Sequence, residues 1–482
     1  MKLLAKYIFV LVATLVFTSC ANLVDEVNPT HILDAGNAFK SIENYESALN
    51  GAYAQLRGVN TYGRNQSSIP DMMSDNLSES PENLPQGTRG IVDWVYAADN
   101  GAIEGSWLGL YIVINSTNVV INGIDAFTTS TNQKTANRIK GQALALRAWL
   151  HFDLLKWYAN NYERNSTELA VPVMTTVSSQ DPNLRPARAT VKEVYDRIFA
   201  DLNEASRLLG DVDRAVNTAT RRVNIDATAV NAMLARISLY AGQDADAVRF
   251  ASTVISALPL ATRAQFPSIW RDDSAAEVAW AVRFNPGEGG PALEVYSPAG
   301  NDRASFDASP DIVALYDQAN DVRFASYMAS GFSTRAPRPA SRFIPIKYLG
   351  KANNRDGVVD FKVLRTGEMY LVRAEARQRS GDQTGALQDL NTLRAARITN
   401  FVAGTESGAA LTQAIANERR KELFLEGHRW FDLKRTTRTI NRQNCRPPAT
   451  QCTLANSNPR WTWPIPTNEL NANPNMTQNN GY

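Results

Sequence analysis

Histidine and cysteine are the scarcest chemically versatile residues in this chain, with three of each among 482 positions. His31, His151 and His428 lie far apart and make no HExxH pair, and Cys445 and Cys452 have no CxxC spacing or neighbouring histidine pair. That pattern argues against a metal site. A charge of one sign is also lacking: 50 basic and 48 acidic residues leave a formal net charge of +2, with no long block of either. A nucleic-acid footprint is therefore not supported. Gly287, Gly289 and Gly290 are not followed by Gly-Lys-Ser/Thr, so phosphate cradling has little support and no cofactor is called for. The acidic residues would permit a two-carboxylate glycosidase, but no motif favours one.

What is present is a globular composition, 44% hydrophobic and 20% charged, long enough for one large core or two smaller ones. Residues 1–20 carry Lys2 and Lys6, an apolar run over 7–17, and Thr18-Ser19-Cys20. The run is shorter than the roughly 20 residues a spanning helix needs and reads as a signal peptide. A cysteine at the cleavage point resembles a bacterial lipobox, in which Cys20 becomes the acylated first residue, although Phe17 departs from the usual aliphatic residue. Residues 1–19 are then the signal and 20–35 a polar tether with Asp25, Glu26 and Pro29.

From residue 36 to 482 the pattern is helical. Ile42, Tyr45, Leu49, Ala52 and Leu56 predict a helix within 39–57, and Trp107, Tyr111, Ile114, Asn118 and Ile121 another over 107–124. Residues 139–158 are apolar on much of their circumference, hence buried. Thr190 and Glu193 have capping-box spacing at the start of a helix within 188–209. Residues 225–255 and 361–397 each read as two helices around a glycine turn, Gly242-Gln243-Asp244 and Gly381-Asp382, in the manner of tetratricopeptide hairpins. Two stretches near 58–100 and 261–357 lose periodicity and gain proline and glycine. Long irregular segments in a helical protein are more often functional than decorative.

The stretch 411–435 is oddly charged for a core helix. Leu411, Ile415, Leu425 and Leu433 share a stripe with Glu418, Glu422 and Arg429. Unpaired buried charge costs on the order of several kcal/mol, so these three are expected to form a buried ionic clasp, the alternative being an exposed salt-bridged helix. Gly427 is expected to end a helix or to admit another backbone. The run 418–435, with Glu418-Arg419-Arg420, Glu422-Leu423, Glu426-Gly427 and Arg429-Trp430-Phe431-Asp432-Leu433, resembles the C-terminal signature of the SusD/RagB family of outer-membrane nutrient-binding lipoproteins. The helix within 139–158 resembles a second family element, with Gln142 where the family usually has glutamate.

The resemblance implies an all-α, tetratricopeptide-like helix-pair scaffold with large loop-rich insertions. It also implies a lipid anchor in the outer membrane facing the exterior, no enzymatic activity, and capture of a nutrient for a SusC-like TonB-dependent transporter. The ligand is expected to be a glycan or oligosaccharide; a peptide-uptake member of the family, a surface glycoside hydrolase and an adhesin are the alternatives. Sugar rings stack on aromatic faces while Asp, Asn and Arg bind hydroxyls. On that basis Asp75, Asn76, Arg89, Trp94 and Tyr96 in the first irregular stretch, and Tyr296 and Phe332 in the second, are the candidate contacts. With Cys20 acylated and the compartment oxidising, Cys445 and Cys452 are expected to form a disulfide, two free thiols being the alternative.

Overall fold

The computed structural model describes residues 38–80, 89–178, 181, 183–291, 295–297, 303–330, 342–351, 356–443, 445 and 451–482. The signal, Cys20, the whole tether and Phe332 lie outside the described residues. Ten helices of seven residues or more, among the described residues, carry the architecture: α1 (Ile42–Gln55), α2 (Gly101–Gly123), α3 (Gln133–Tyr158), α4 (Val191–Leu209), α5 (Ala227–Tyr240), α6 (Asp244–Ala257), α7 (Thr366–Arg379), α8 (Gln383–Arg397), α9 (Gly408–Glu422) and α10 (Arg429–Arg435). Most pack mainly on their sequence neighbours, α1 on α2, α2 on α3, α3 on α4, α5 on α6, α6 on α7 and α7 on α8, whereas α9 packs mainly on α7. The fold is the all-α scaffold of stacked helix pairs that the family resemblance implies.

Local chemistry sets the helix ends. Thr190 accepts from the Glu193 amide at 3.2 Å while Glu193 accepts from the Thr190 amide at 2.8 Å, the reciprocal cap of α4. Asp226 and Asp382 cap α5 and α8 through the amides of Ala229 and Gly385, both at 2.9 Å. Between α7 and α8 the chain reverses at Gly381, whose φ of +91° is left-handed and suits glycine. Helix α3 is buried almost throughout its length, and Arg147 on it grips Asp201 of α4 through two 2.8 Å bonds while donating to Asn118 of α2 at 2.9 Å. Three helices are thus pinned by one guanidinium. Gln142 accepts from Tyr53 of α1 at 3.1 Å, a neutral pairing at the family's glutamate position. The C-terminal tail closes the end of α3: Trp463 stacks on Trp157 at 3.7 Å, and Lys434 donates to the carbonyls of Lys156 and Ala159.

The two irregular stretches carry short strands and single-turn helices. Strand β1 (Leu77–Glu79) lies in the first; β2 (Val278–Val282), β3 (Tyr296–Ser297), β4 (Arg303–Ala304), β5 (Phe306–Ala308), β6 (Met328–Ser330) and β7 (Phe343–Pro345) lie in the second. Strand β8 (Phe361–Arg365) pairs antiparallel with β2, and β9 (Ile440–Asn441) with β10 (Thr453–Leu454) in a hairpin closed by the Cys445–Cys452 disulfide.

The charged run 411–435 forms α9, a bend, and α10. Gly427 has a φ of +76°, and a Cβ there would collide with the Gln66 carbonyl, so it serves both expected purposes: it turns the chain after α9 and admits the backbone of the first irregular stretch. Glu418 and Glu422 are fully buried, as a clasp requires, but their partners differ from the expectation. Glu422 accepts from Arg323 at 2.9 Å, Arg365 at 2.8 Å and Arg397 at 3.0 Å; Glu418 pairs with Arg323, Arg394 and Lys421. Glu277 and Glu426 complete the balance, each bound to Arg365. Arg429 is not in this group. It lies beyond the Gly427 bend and grips Asp75 through bonds of 2.7 and 2.8 Å.

Removing one member of such a network strands a buried opposite charge, which costs about 3–5 kcal/mol. Arg365→Ala is expected to lose stability of that order in urea unfolding; a loss under about 1 kcal/mol would show that the network is not under charge balance. Acid supplies a second check. Burial alone would raise the Glu418 carboxyl, but Arg323, Lys421 and Arg394 outweigh it and hold it at about 2, below its ordinary value of 4.5. The folded value is the lower one, so its stabilisation is present above pH 4.5 and lost as pH falls through about 2. Unfolding free energy followed from pH 5 to 2 should decline, with the decline reduced in Glu418→Gln.

Candidate functional site

The two irregular stretches meet. β1 pairs antiparallel with β5, Leu77 opposite Ala308 and Glu79 opposite Phe306. The ladder extends through Ser80 N to Ser305 O at 2.9 Å and Ser309 N to Asn76 O at 2.9 Å. Ser67 also donates to the Pro291 carbonyl at 2.8 Å. Loops from two separate parts of the chain thereby form one surface, with β5 alongside β7.

Two polar clusters flank this junction. On one side Arg342 grips Asp307 and donates to Ser80 Oγ at 3.2 Å. On the other, Arg89 stands between two carboxylates, 3.9 Å from Glu79 and 3.6 Å from Asp93. Those separations are those of ion pairs without tight hydrogen bonds. Arg89 Nη2 and Asp93 Oδ1 are buried with no hydrogen-bond partner among the described residues. An unsatisfied buried donor or acceptor costs about 1–3 kcal/mol, which a hydroxyl able to donate and accept would relieve. Burial raises the Glu79 carboxyl, and Asp93 adds to the rise; burial likewise raises Asp93, against Arg442 and Arg89. The cluster can take polar, uncharged groups that bring both donors and acceptors.

Of the residues singled out in the sequence, Arg89 belongs to this cluster. Four others are turned to structure. Trp94 is 1% exposed, donates through Nε1 to the Met73 carbonyl at 3.0 Å, and lies under the Arg442 guanidinium at 4.0 Å. Its φ of +57° directs the ring inward, so it offers no face to a sugar. Tyr96 is 2% exposed, with its hydroxyl on the Arg460 carbonyl and its ring stacked on Tyr482. Asp75 is occupied by Arg429 and Arg420, which overcome burial and hold its carboxyl at about 2. Asn76 is buried, donating to Asp71 at 2.7 Å and accepting from Arg420 at 2.8 Å. The Tyr296 backbone, in β3, pairs with Ala304 of β4, and its side chain, like all of Phe332, lies outside the described residues. Glu79, Asp93, Asp307 and Arg342 were not singled out in the sequence: Asp93 stands in the apolar run 91–96, Arg342 borders the apolar run 343–346, and no periodicity marks any of the four.

A separate cleft of about 460 Å³ runs along α2, lined by Trp107, Leu108, Tyr111 and Ile112 and, across from them, Pro172 and Met174. Leu108 and Ile112, one turn apart, are 54% and 45% exposed. Trp107 Nε1 donates to Glu469 at 3.2 Å.

A stacked helix-pair scaffold carrying two loop insertions that meet at one surface defines a binding-protein architecture. The chain belongs to the SusD/RagB family. Residues 340–482 match the sequence model of the SusD family, and residues 26–239 match a family described as starch-binding associating with outer membrane. SusD-like protein P2 of Formosa agariphila is 24% identical over 475 residues, covering 88% of this chain and 89% of that relative. A SusD-like protein of Bacteroides ovatus is 23% identical over 481 residues, covering 89% and 82%. Among solved structures, a SusD superfamily protein from Bacteroides thetaiotaomicron superposes with a TM-score of 0.81 at 26% identity, covering 91% of this chain and all of that one. A putative sugar binding protein from Bacteroides vulgatus gives 0.76 at 24% identity, covering 92% and 99%.

Trp94→Ala removes a fully buried ring and should cost about 3–5 kcal/mol, read as a lowered melting temperature. A Trp94→Ala protein as stable as the wild type would return Trp94 to the exposed surface.

Proposed function

We propose that this protein is a surface-exposed outer-membrane lipoprotein, anchored through acylated Cys20, that binds a carbohydrate at the junction of its two insertions and passes it to a SusC-like TonB-dependent transporter. The observation that carries the reading is the junction itself: the pairing of β1 with β5 sets the Glu79, Arg89 and Asp93 cluster on one side and the Asp307–Arg342 pair on the other. Carboxylates and guanidiniums so arranged suit the vicinal hydroxyls of a sugar, and two of their atoms have capacity left. The family's description as starch-binding and the sugar-binding name of one solved relative support the same ligand class.

Binding without turnover is the fitting role. Glu79 and Asp93 share one guanidinium, which engages both as ion-pair partners rather than poising one as acid and the other as base. A tethered binder cannot itself move a nutrient across a bilayer; capture at a channel mouth raises the local ligand concentration there. A second reading, peptide capture, is favoured by the α2 cleft, where exposed Leu108 and Ile112 beside Trp107 suit an apolar side chain.

Calorimetric titration of the purified protein against oligosaccharide and peptide panels separates these. The expected result is binding of an oligosaccharide with no product released, and a loss of about 10- to 100-fold in affinity in Arg89→Ala and Arg342→Ala, as for hydrogen bonds to charged groups. Unchanged affinity in both variants would remove the site from the junction, and released sugar would make the protein an enzyme. Cys20→Ala should free the protein from the membrane fraction, and gentle detergent extraction of the wild type should recover a large β-barrel partner with it.

A further inference from the structure

Arg442 does something its place in the sequence does not suggest. It follows β9 in a hairpin whose ladder is two residue pairs long, too short to hold itself in water. Two further links close it: Arg442 N donates to the Cys452 carbonyl at 2.8 Å, and Cys445 is bonded to Cys452. The side chain then leaves the hairpin and enters the first insertion. Nε donates to the Ser74 carbonyl at 3.0 Å, and Nη2 to those of Met72 at 3.1 Å and Met73 at 2.8 Å. The guanidinium plane lies 4.0 Å from the Trp94 ring, whose own Nε1 shares the Met73 carbonyl. One side chain thus fixes both arms of the first insertion: residues 72–74, which lead into β1 and Glu79, and Trp94, which follows Asp93. Its charge is also felt by both carboxyls, lowering Glu79 and Asp93 against the effect of their burial.

We infer that Arg442 is a positioning residue for the junction site, and that the disulfide-closed hairpin is the bracket that holds it there. The inference rests on the carbohydrate reading for its effect on binding, but not for its effect on the conformation of the first insertion. Without Arg442 the carbonyls of Met72 and Ser74 lose this donor, that of Met73 keeps only Trp94 Nε1, and the Trp94 ring loses its cover, so Glu79 and the Arg89–Asp93 pair have no common reference. A lysine has one ammonium and no plane, and cannot serve three carbonyls and a ring at once.

The test uses the full mature chain and three variants: Arg442→Gln, Arg442→Lys, and Cys445→Ser with Cys452→Ser. Hydrogen exchange on the free protein is expected to quicken at residues 72–80 and 89–96 in all three, with α3 to α8 exchanging as in the wild type. Affinity for whichever oligosaccharide the wild type binds, titrated well below the melting temperature, is expected to fall about tenfold in Arg442→Gln, with Arg442→Lys between it and the wild type. Exchange unchanged at 72–80 and 89–96 would overturn the inference. So would quickened exchange with unaltered affinity, the signature of a merely structural role. If the wild type binds no sugar in the panel, the carbohydrate reading fails, and the exchange data still decide whether Arg442 sets the insertion's conformation.

Discussion

One buried carboxylate, Glu422, holds three guanidiniums that come from three different parts of the chain: Arg323 from the second insertion, Arg365 from the end of β8 and Arg397 from the end of α8. All four side chains are removed from solvent, so the group is stable only with its charges balanced. Around the bend at Gly427 the same run of sequence turns outward to the other insertion, where Arg429 and Arg420 take Asp75 and Asn76. A single helix-bend-helix thereby ties both insertions to the scaffold. That explains why a family signature is written in ions rather than in apolar residues: directional pairs fix the orientation of loops that have little secondary structure of their own.

The scaffold was legible because helices announce themselves locally. The Thr190–Glu193 cap, the Gly381 turn and the apolar stripe of α1 each involve residues three or four apart, and each stands where the sequence puts it. The insertions were less legible, since their conformation is set by partners far along the chain. Trp94 looked like a sugar platform because it lies in an irregular, polar stretch; nothing nearby reveals that Arg442, some 350 residues on, covers its ring. Asp75 has the chemistry of a hydroxyl ligand, but Arg429 claims it across a comparable distance. Arg429 in turn was placed with Glu422 by helical spacing, which fails because the helix ends at Glu422 and the chain bends at Gly427 before α10. Irregular sequence around an aromatic or ionic residue thus does not tell whether it is turned to solvent or to a partner far along the chain.

The matched family spans leave residues 240–339 between them, which is most of the second insertion. The first insertion lies inside a matched span, as does the signature that anchors it.

If the two insertions make one site, a crystal structure with the tightest-binding oligosaccharide will show sugar hydroxyls within hydrogen-bond distance of Arg89 or Asp93 on one side and of Arg342 or Asp307 on the other. Sugar seated only in the α2 cleft between Trp107 and Ile112, with the β1–β5 junction untouched, would contradict it.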